Sequence, residues 1–282
     1  MTNPKMSERL APGLYIVATP IGNLSDLSPH AADVLARADL LAVEDSRVTA
    51  RLLAHIGVKR PMTPYHDHNA DRARPELIAQ MADKAIALVS DAGTPLISDP
   101  GYKLVRDARA AGRDIHTVAG PCAAVAALTL AGLPTDRFLF LGFLPAKAGA
   151  RSAAIAEVAA IRATLILYES GPRLGASLAA LRDGLGERDA AVVREISKRF
   201  EETVTGTLAE LAQRYADAPP KGEIVIVVGP PAGPAEASDE ALDAALREAL
   251  RTLSPSRAAA DAAQRLNVPR KRAYARALEL MK

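Results

Sequence analysis

Three loops that follow short apolar runs concentrate glycine and proline. They are Thr19-Pro20-Ile21-Gly22-Asn23-Leu24, Ser90-Asp91-Ala92-Gly93-Thr94-Pro95 continuing through Gly101, and Ala119-Gly120-Pro121-Cys122-Ala123-Ala124. Glycine lets backbone approach a ligand closely, and proline stiffens the loop. Open α/β sheets bind ligands at the carboxyl ends of their strands. One such loop is simply a turn; three in one sheet form a cradle. Polar residues flank it. Glu44-Asp45-Ser46-Arg47 ends a strand and opens a helix, so its carboxylate pair could accept a proton and Arg47 could hold phosphate. Acids complementing a helix dipole would read the same way. Glu195, Lys198 and Arg199 follow another strand, where a lysine could stabilise an alkoxide or simply form an ion pair.

Other chemistries are missing from the sequence. It has no Gly-x-x-x-x-Gly-Lys-Ser/Thr phosphate loop, no Gly-x-Gly-x-x-Gly after a strand and no Gly-x-Ser-x-Gly elbow. His66-Asp67-His68-Asn69 has two histidines but no partner cluster elsewhere, so no metal is expected there. That segment suits RNA contact or the fixing of a loop.

The elements that must carry these residues are legible. Strand-like runs are Leu14–Ala18, Leu40–Val43, Ala85–Val89, Phe138–Gly142, Thr164–Tyr168, Ala191–Arg194 and Glu223–Val228, with Ile115–Val118 before the third loop. Helical patterns separate most of them, which predicts an α/β protein with largely parallel pairing. Ser28-Pro29, Asp99-Pro100 and Ser254-Pro255 each place a capping side chain before proline. Thr207 and Glu210 form a capping box, and Gly57 closes the helix that contains Arg51. A boundary is expected near Gly120, giving α/β domains over 13–119 and 120–230. The Gly229–Pro234 linker then leads to a helical module over 231–282.

The 282 residues include 49% hydrophobic, 24% charged and only 4% aromatic residues, ordinary for a soluble domain pair but poor for a stacked aromatic site. The single cysteine, Cys122, excludes an internal disulfide and fits a reducing, cytoplasmic setting. Met1 to Pro12 lacks an apolar signal core. The apolar stretch Cys122–Leu133 is about 12 residues long, short of the about 20 a membrane helix needs. The net charge of +2 is uneven: Arg251–Lys282 carries eight Lys/Arg against two Asp/Glu, a net +6, which leaves −4 for residues 1–250. A basic end on a mildly acidic body suggests an anionic partner.

The run Tyr15-Ile16-Val17-Ala18-Thr19-Pro20-Ile21-Gly22-Asn23-Leu24 resembles the opening of the tetrapyrrole-methylase superfamily. Glu44–Arg47, His66–Asn69, Ser90–Gly101 and Phe143-Leu144-Pro145-Ala146-Lys147 resemble its RsmI group, bacterial 16S rRNA cytidine-2′-O-methyltransferases acting at the decoding centre. The resemblance runs from about Leu14 to Pro230 and continues into the tail. It implies two α/β domains with S-adenosylmethionine folded into the cleft between them, a homodimer, and the 30S subunit as partner. It places Ile21 and Gly22 at the cofactor. Asp91, Gly93 and Thr94 would contact its methionine and ribose parts, Ile97, Cys122 and Ala123 would flank the adenosine, and Tyr168 and Glu169 would line the opposite wall. The family often has a histidine after its Tyr-Glu-Ser run; here Gly171-Pro172-Arg173 follows Tyr168-Glu169-Ser170, so no role of that histidine transfers.

Methylation of a ribose hydroxyl is an in-line displacement that needs no metal but gains from a base or a cation near the oxygen. Asp45, Glu195 and Lys198 are the set expected to serve. Arg47, His66, His68, Asn69, Lys147, Arg151 and Arg173 are expected phosphate or RNA contacts. In the tail, a helix from about Ser254 to Leu266, a turn at Asn267-Val268 and a helix from Pro269 to Lys282 resemble a helix-turn-helix. Its Arg270, Lys271, Arg272 and Arg276 suit RNA docking; a dimer-packing helical pair is the alternative. Methylation of a small tetrapyrrole, or RNA binding without catalysis, are the competing functions.

Overall fold

The protein is seen in a computed structural model that describes residues 9–98, 101–232 and 238–281. It divides into two compact units, residues 1–230 and 231–282.

The first half of the larger unit is a parallel sheet. Its strands are β1 (Gly13–Val17), β2 (Leu40–Val43), β3 (Met62–Pro64), β4 (Ala85–Val89) and β5 (Ile115–Val118), in the order β3-β2-β4-β1-β5. The connecting helices are α1 (Pro29–Arg37), α2 (Ser46–His55), α3 (Ala70–Gln80) and α4 (Tyr102–Ala110). Alternation along a strand sends neighbouring side chains to opposite faces. Tyr15, Val17, Leu41 and Val43 therefore join α1 and α2 in one core, while Leu14, Ala42, Ile86 and Leu88 join α3 and α4 in another. With both faces covered, β4 is buried throughout, as an uninterrupted apolar strand requires. Chain leaving β1 crosses toward β2, whereas chain leaving β4 crosses toward β5. Their loops diverge and leave a crevice at the strand ends.

Helix α5 (Ala123–Leu130) packs Ala124, Ala127 and Leu128 on a second sheet. Its strands are β6 (Phe138–Phe143), β7 (Thr164–Ser170), β8 (Asp189–Arg194), β9 (Glu202–Thr207) and β10 (Glu223–Val228), in the order β6-β7-β10-β8-β9. Helices α6 (Ala148–Val158), α7 (Gly171–Leu185) and α8 (Leu208–Arg214) cover the other face with Ile155, Leu174, Leu178 and Leu211. The expectation of largely parallel pairing fails in this sheet. Only β6–β7 is parallel; β7–β10, β10–β8 and β8–β9 are antiparallel. The short Glu195–Glu201 connection is the reason for the β8–β9 pair, since parallel neighbours need a long crossover. Strands β3 and β9 escape sequence reading. One ends in proline at a sheet edge, and the other is a polar edge strand, so neither shows an apolar run.

The smaller unit holds α9 (Asp239–Ala249), α10 (Pro255–Leu266) and α11 (Arg270–Glu279) around Leu242, Leu246, Ala259, Ala262, Val268, Ala273 and Ala277. Asn267 turns the chain in the left-handed region, φ 51°.

Local signals fare unevenly. Ser28 caps α1 by accepting the Ala31 N–H, the Thr207/Glu210 box is complete, and Gly57 has φ +71°. Ser254 precedes its proline but makes no side-chain cap bond. Asp99 and Pro100, and with them that expected cap, lie outside the described residues. Among the described residues no helix is long and apolar enough to cross a membrane.

Candidate active site

The three Gly/Pro loops are bonded to one another. Thr19 and Gly93 exchange backbone hydrogen bonds of 2.9 and 3.1 Å, which ties the loop after β1 to the loop after β4. The buried Thr19 hydroxyl donates to the Ser90 carbonyl at 3.3 Å. Thr94 Oγ1 donates to the Pro121 carbonyl at 2.9 Å, bringing in the loop after β5. Gly93 takes φ +82°, which only glycine adopts freely. Leu96 and Ser98 also sit at positive φ, 76° and 62°, a strain that clusters at functional sites.

Facing these loops is the end of the second sheet, and between them lies a cavity of about 410 Å³. That is within the roughly 300–1,000 Å³ of pockets that enclose small ligands. Nine of the ten residues expected at the cofactor line it: Ile21, Asp91, Gly93, Thr94, Ile97, Cys122, Ala123, Tyr168 and Glu169. Gly22 is not on the wall. It lies beneath the stem of Lys198, whose Cγ would be 2.4 Å from a Cβ placed there. The Glu169 carboxylate faces away into α7, accepting from the Ser177 hydroxyl and the Ser170 N–H and pairing with Arg173 at 3.3 Å.

Sequence reasoning named Glu44 within a carboxylate pair but chose Asp45 from it, and it missed Ala92, Ser98, Phe143, Ser170, Ile196 and the run Gly222-Glu223-Ile224-Val225 as cleft residues. The last run comes from β10, which is antiparallel to β7 with Glu223 opposite Ser170 and Val225 opposite Tyr168. It offers its amino end to the cleft, so a rule that looks at carboxyl ends passes over it. Phe143 lies in the Phe143–Lys147 motif; the residue is 55% exposed and its ring meets Tyr168 edge-on at 5.6 Å.

The three expected catalytic residues stand elsewhere. Asp45 is outside the cavity wall and caps α2. Its carboxylate accepts the Arg47 N–H at 2.8 Å and pairs with the guanidinium at 2.6 Å. These bonds from Arg47 hold its pKa down to about 2. Lys198 Nζ bridges Glu195 at 2.9 Å and Glu223 at 2.8 Å, and Glu195 also accepts the Glu223 N–H at 3.0 Å. That N–H and then Lys198 lower the Glu195 pKa. Burial opposes the Lys198 charge, but the two carboxylates prevail and raise its pKa. Neither residue lines the cavity; Ile196 between them does.

Two other acids behave differently. Burial raises the Asp91 pKa against the hydrogen bond that Asp91 accepts from the Asp45 N–H at 3.0 Å. Glu44 is half-buried, and its pKa is raised by burial first and by the neighbouring Asp91 second.

Of the expected RNA contacts, Arg47, His68 and Lys147 are exposed. Asn69 serves the loop itself, accepting the His66 N–H and donating to Pro64, both at 2.9 Å. His66 meets His68 edge-on at 5.9 Å. Arg151 donates to Ala146 at 3.3 Å, and Arg173 donates to Leu144. In the smaller unit, Arg276 pairs with Asp243 at 2.7 Å and Arg272 with Asp239 at 2.8 Å, bonds that join α11 to α9. Arg270 reaches Ser256 at 3.3 Å, and Lys271 is exposed.

Comparison with known proteins gives a consistent result. Residues 13–212 match the tetrapyrrole (corrin/porphyrin) methylases, and residues 236–281 match the RsmI C-terminal HTH domain. The chain is 51% identical over 280 residues to ribosomal RNA small subunit methyltransferase I of Erythrobacter litoralis, covering 99% of each. It is 48% identical over 274 residues to the Mesorhizobium japonicum protein of that name, covering 96% of this chain and 93% of the relative. In fold it is similar to a uroporphyrin-III C-methyltransferase from Thermus thermophilus solved with S-adenosylhomocysteine. The TM-score is 0.54 at 19% identity, over 77% of this chain and 97% of that one. A diphthine synthase gives a TM-score of 0.61 at 16% identity, over 77% and 89%.

Proposed function

The chain belongs to the tetrapyrrole (corrin/porphyrin) methylase family, in its RsmI group, and is a methyltransferase; from that premise we propose that it methylates the ribose 2′-oxygen of a decoding-centre cytidine in 16S rRNA. S-adenosylmethionine is the methyl donor, the assembled 30S subunit the substrate, and a cytoplasmic homodimer the working form. Residues 13–119 and 120–230 act as its two lobes. The observation that carries this reading is identity along nearly the whole length with ribosomal RNA small subunit methyltransferase I, together with a cleft of matching size.

The residues of the cleft fit the donor. A Cβ at Gly93 would lie 3.3 Å from Ile21 and 3.7 Å from the Pro121 carbonyl, so glycine lets the three loops close on one another at this wall. Ile97, Cys122 and Ala123 offer an apolar seat for adenosine, and Asp91 and Thr94 offer polar groups for ribose and the amino acid end. The bound donor would supply an already activated methyl group. The protein's part is to hold the acceptor oxygen in line and to exclude water. Phe143, exposed at the rim, gives the target base a face to stack on.

Transfer of labelled methyl to 30S subunits, followed by mapping of the nucleotide, tests the reading. Label is expected on one cytidine ribose; label on a base, or only on a porphyrin precursor, overturns it. The tail provides a second expectation. Every residue lining the cavity lies within residues 1–230. Deleting residues 236–282 should therefore weaken 30S binding roughly 10-fold or more, and leave S-adenosylhomocysteine affinity within about 2-fold by calorimetry. Replacing Lys271 by alanine should reduce the salt slope of subunit binding by roughly 1, as loss of one phosphate contact does. An unchanged slope would count against RNA docking by this helix.

A further inference from the structure

The methyl acceptor loses a proton, and the cleft holds four carboxylates that could take it: Glu44, Asp91, Glu169 and Glu223. Three are committed. Glu169 is 3% exposed and spends its oxygens on Ser177, Ser170 and Arg173. Glu223 pairs with Lys198. Asp91 accepts the Asp45 N–H and so holds the start of α2 against the loop after β4. Asp45 is outside the wall and bound to Arg47. Like Asp91, and unlike Asp45, Glu169 and Glu223, Glu44 has no cation partner among the described residues; unlike Asp91, it does not accept the Asp45 N–H. No lysine or arginine among those residues pairs with it, and it lines the cavity beside Asp91.

Resting on the methyl-transfer reading above, we propose that the Glu44 carboxylate is the proton acceptor for the ribose hydroxyl. As the O–H bond breaks, its proton passes to a Glu44 oxygen. The hydroxyl oxygen forms the new O–C bond, and the C–S bond breaks with its electron pair left on sulfur. The charges around Glu44 suit this role. Burial foremost, then the charges of Asp91 and Asp67, disfavour its anion and outweigh the opposing Asp91 backbone and His66. A raised pKa makes a carboxylate a stronger base. The remaining titratable groups of the wall are Cys122, Tyr168, Glu169 and Glu223.

The test uses full-length wild type, Glu44→Gln and Glu44→Asp with 30S subunits under single turnover across pH. Wild-type rate should rise with pH and level off, with the rise lying above the ordinary carboxylate range. Glu44→Gln should lose roughly 100-fold to 10,000-fold in rate and the pH dependence with it. It should keep S-adenosylhomocysteine affinity and 30S binding within about 3-fold. Glu44→Asp should recover at least about 10-fold over Gln and restore the rise. An equally active Glu44→Gln beside an active wild type overturns the proposal alone. So does an affinity loss as large as the rate loss, or a rise that persists in Glu44→Gln. A wild type that labels no RNA overturns the function and this proposal together.

Discussion

Gly93→Val should abolish measurable binding of S-adenosylhomocysteine while leaving a folded protein. Gly93 has φ +82°, and a Cβ there would stand 3.3 Å from the Ile21 methyl group. Holding an L-residue in this region costs about 1–2 kcal/mol, which lowers the melting temperature by a few degrees in a unit of this size. The effect on binding is larger. Gly93, Ile21 and Thr94 form one side of the cavity, and a branched side chain would press on Ile21 and the Pro121 loop and deform that wall. Affinity should fall at least about 100-fold, or about 2.7 kcal/mol, and rRNA methylation should fall with it. Calorimetry with S-adenosylhomocysteine, run beside a thermal melt, separates the two effects. Near-normal affinity would show that the cradle is not where the donor sits.

Gly171→Ala should act on stability instead. Gly171 begins α7, and a Cβ there would lie 1.8 Å from the Pro220 carbonyl oxygen and 3.0 Å from its carbon. Neither side yields easily. Ser170 is paired with Glu223 across β7 and β10, so the helix start and the Pro220–Gly222 turn are held by the same ladder. Relieving the overlap means moving that turn by more than an ångström. Overpacking of this kind costs on the order of 3 kcal/mol or more. The melting temperature should drop by roughly 6–12 °C, at about 2–4 °C per kcal/mol. Activity should suffer as well, since Gly222 and Glu223 line the cleft. Gly149→Ala is the control: nothing lies within 4 Å of its Cβ, so its melting point should hold or rise slightly. A Gly171→Ala protein that melts within 2 °C of wild type would mean that the turn moves freely.

The same two glycines mark how far local reading goes. Gly93 announces itself, because it sits in a loop dense with glycine and proline right after an apolar run. Gly171 does not; its neighbour Pro220 is far away in the chain, and only the antiparallel pairing of β7 with β10 brings them together. The helix caps Ser28 and Thr207 are similarly local and legible. The antiparallel half of the second sheet is not. Apolar runs announce strands but carry no direction, and β10 reaches the cleft by its amino end.

The acids make the same point at a single step of sequence. Residues 44–47 declare by composition a polar, acidic strand end at a helix start, and the three Gly/Pro loops declare a cradle beside it. That much follows from backbone chemistry, which is local. Which acid faces the cradle is decided by tertiary structure. Adjacent side chains leaving a strand point to opposite sides. Glu44 therefore enters the cavity while Asp45 turns back to cap α2 and bind Arg47. Glu195 and Lys198, equally plausible by type, are drawn into an ion pair with Glu223 that sits over Gly22. A residue's chemistry is written in its type. Its direction, its partners and its access to water are set only when β2, β4 and the second sheet have been packed around it.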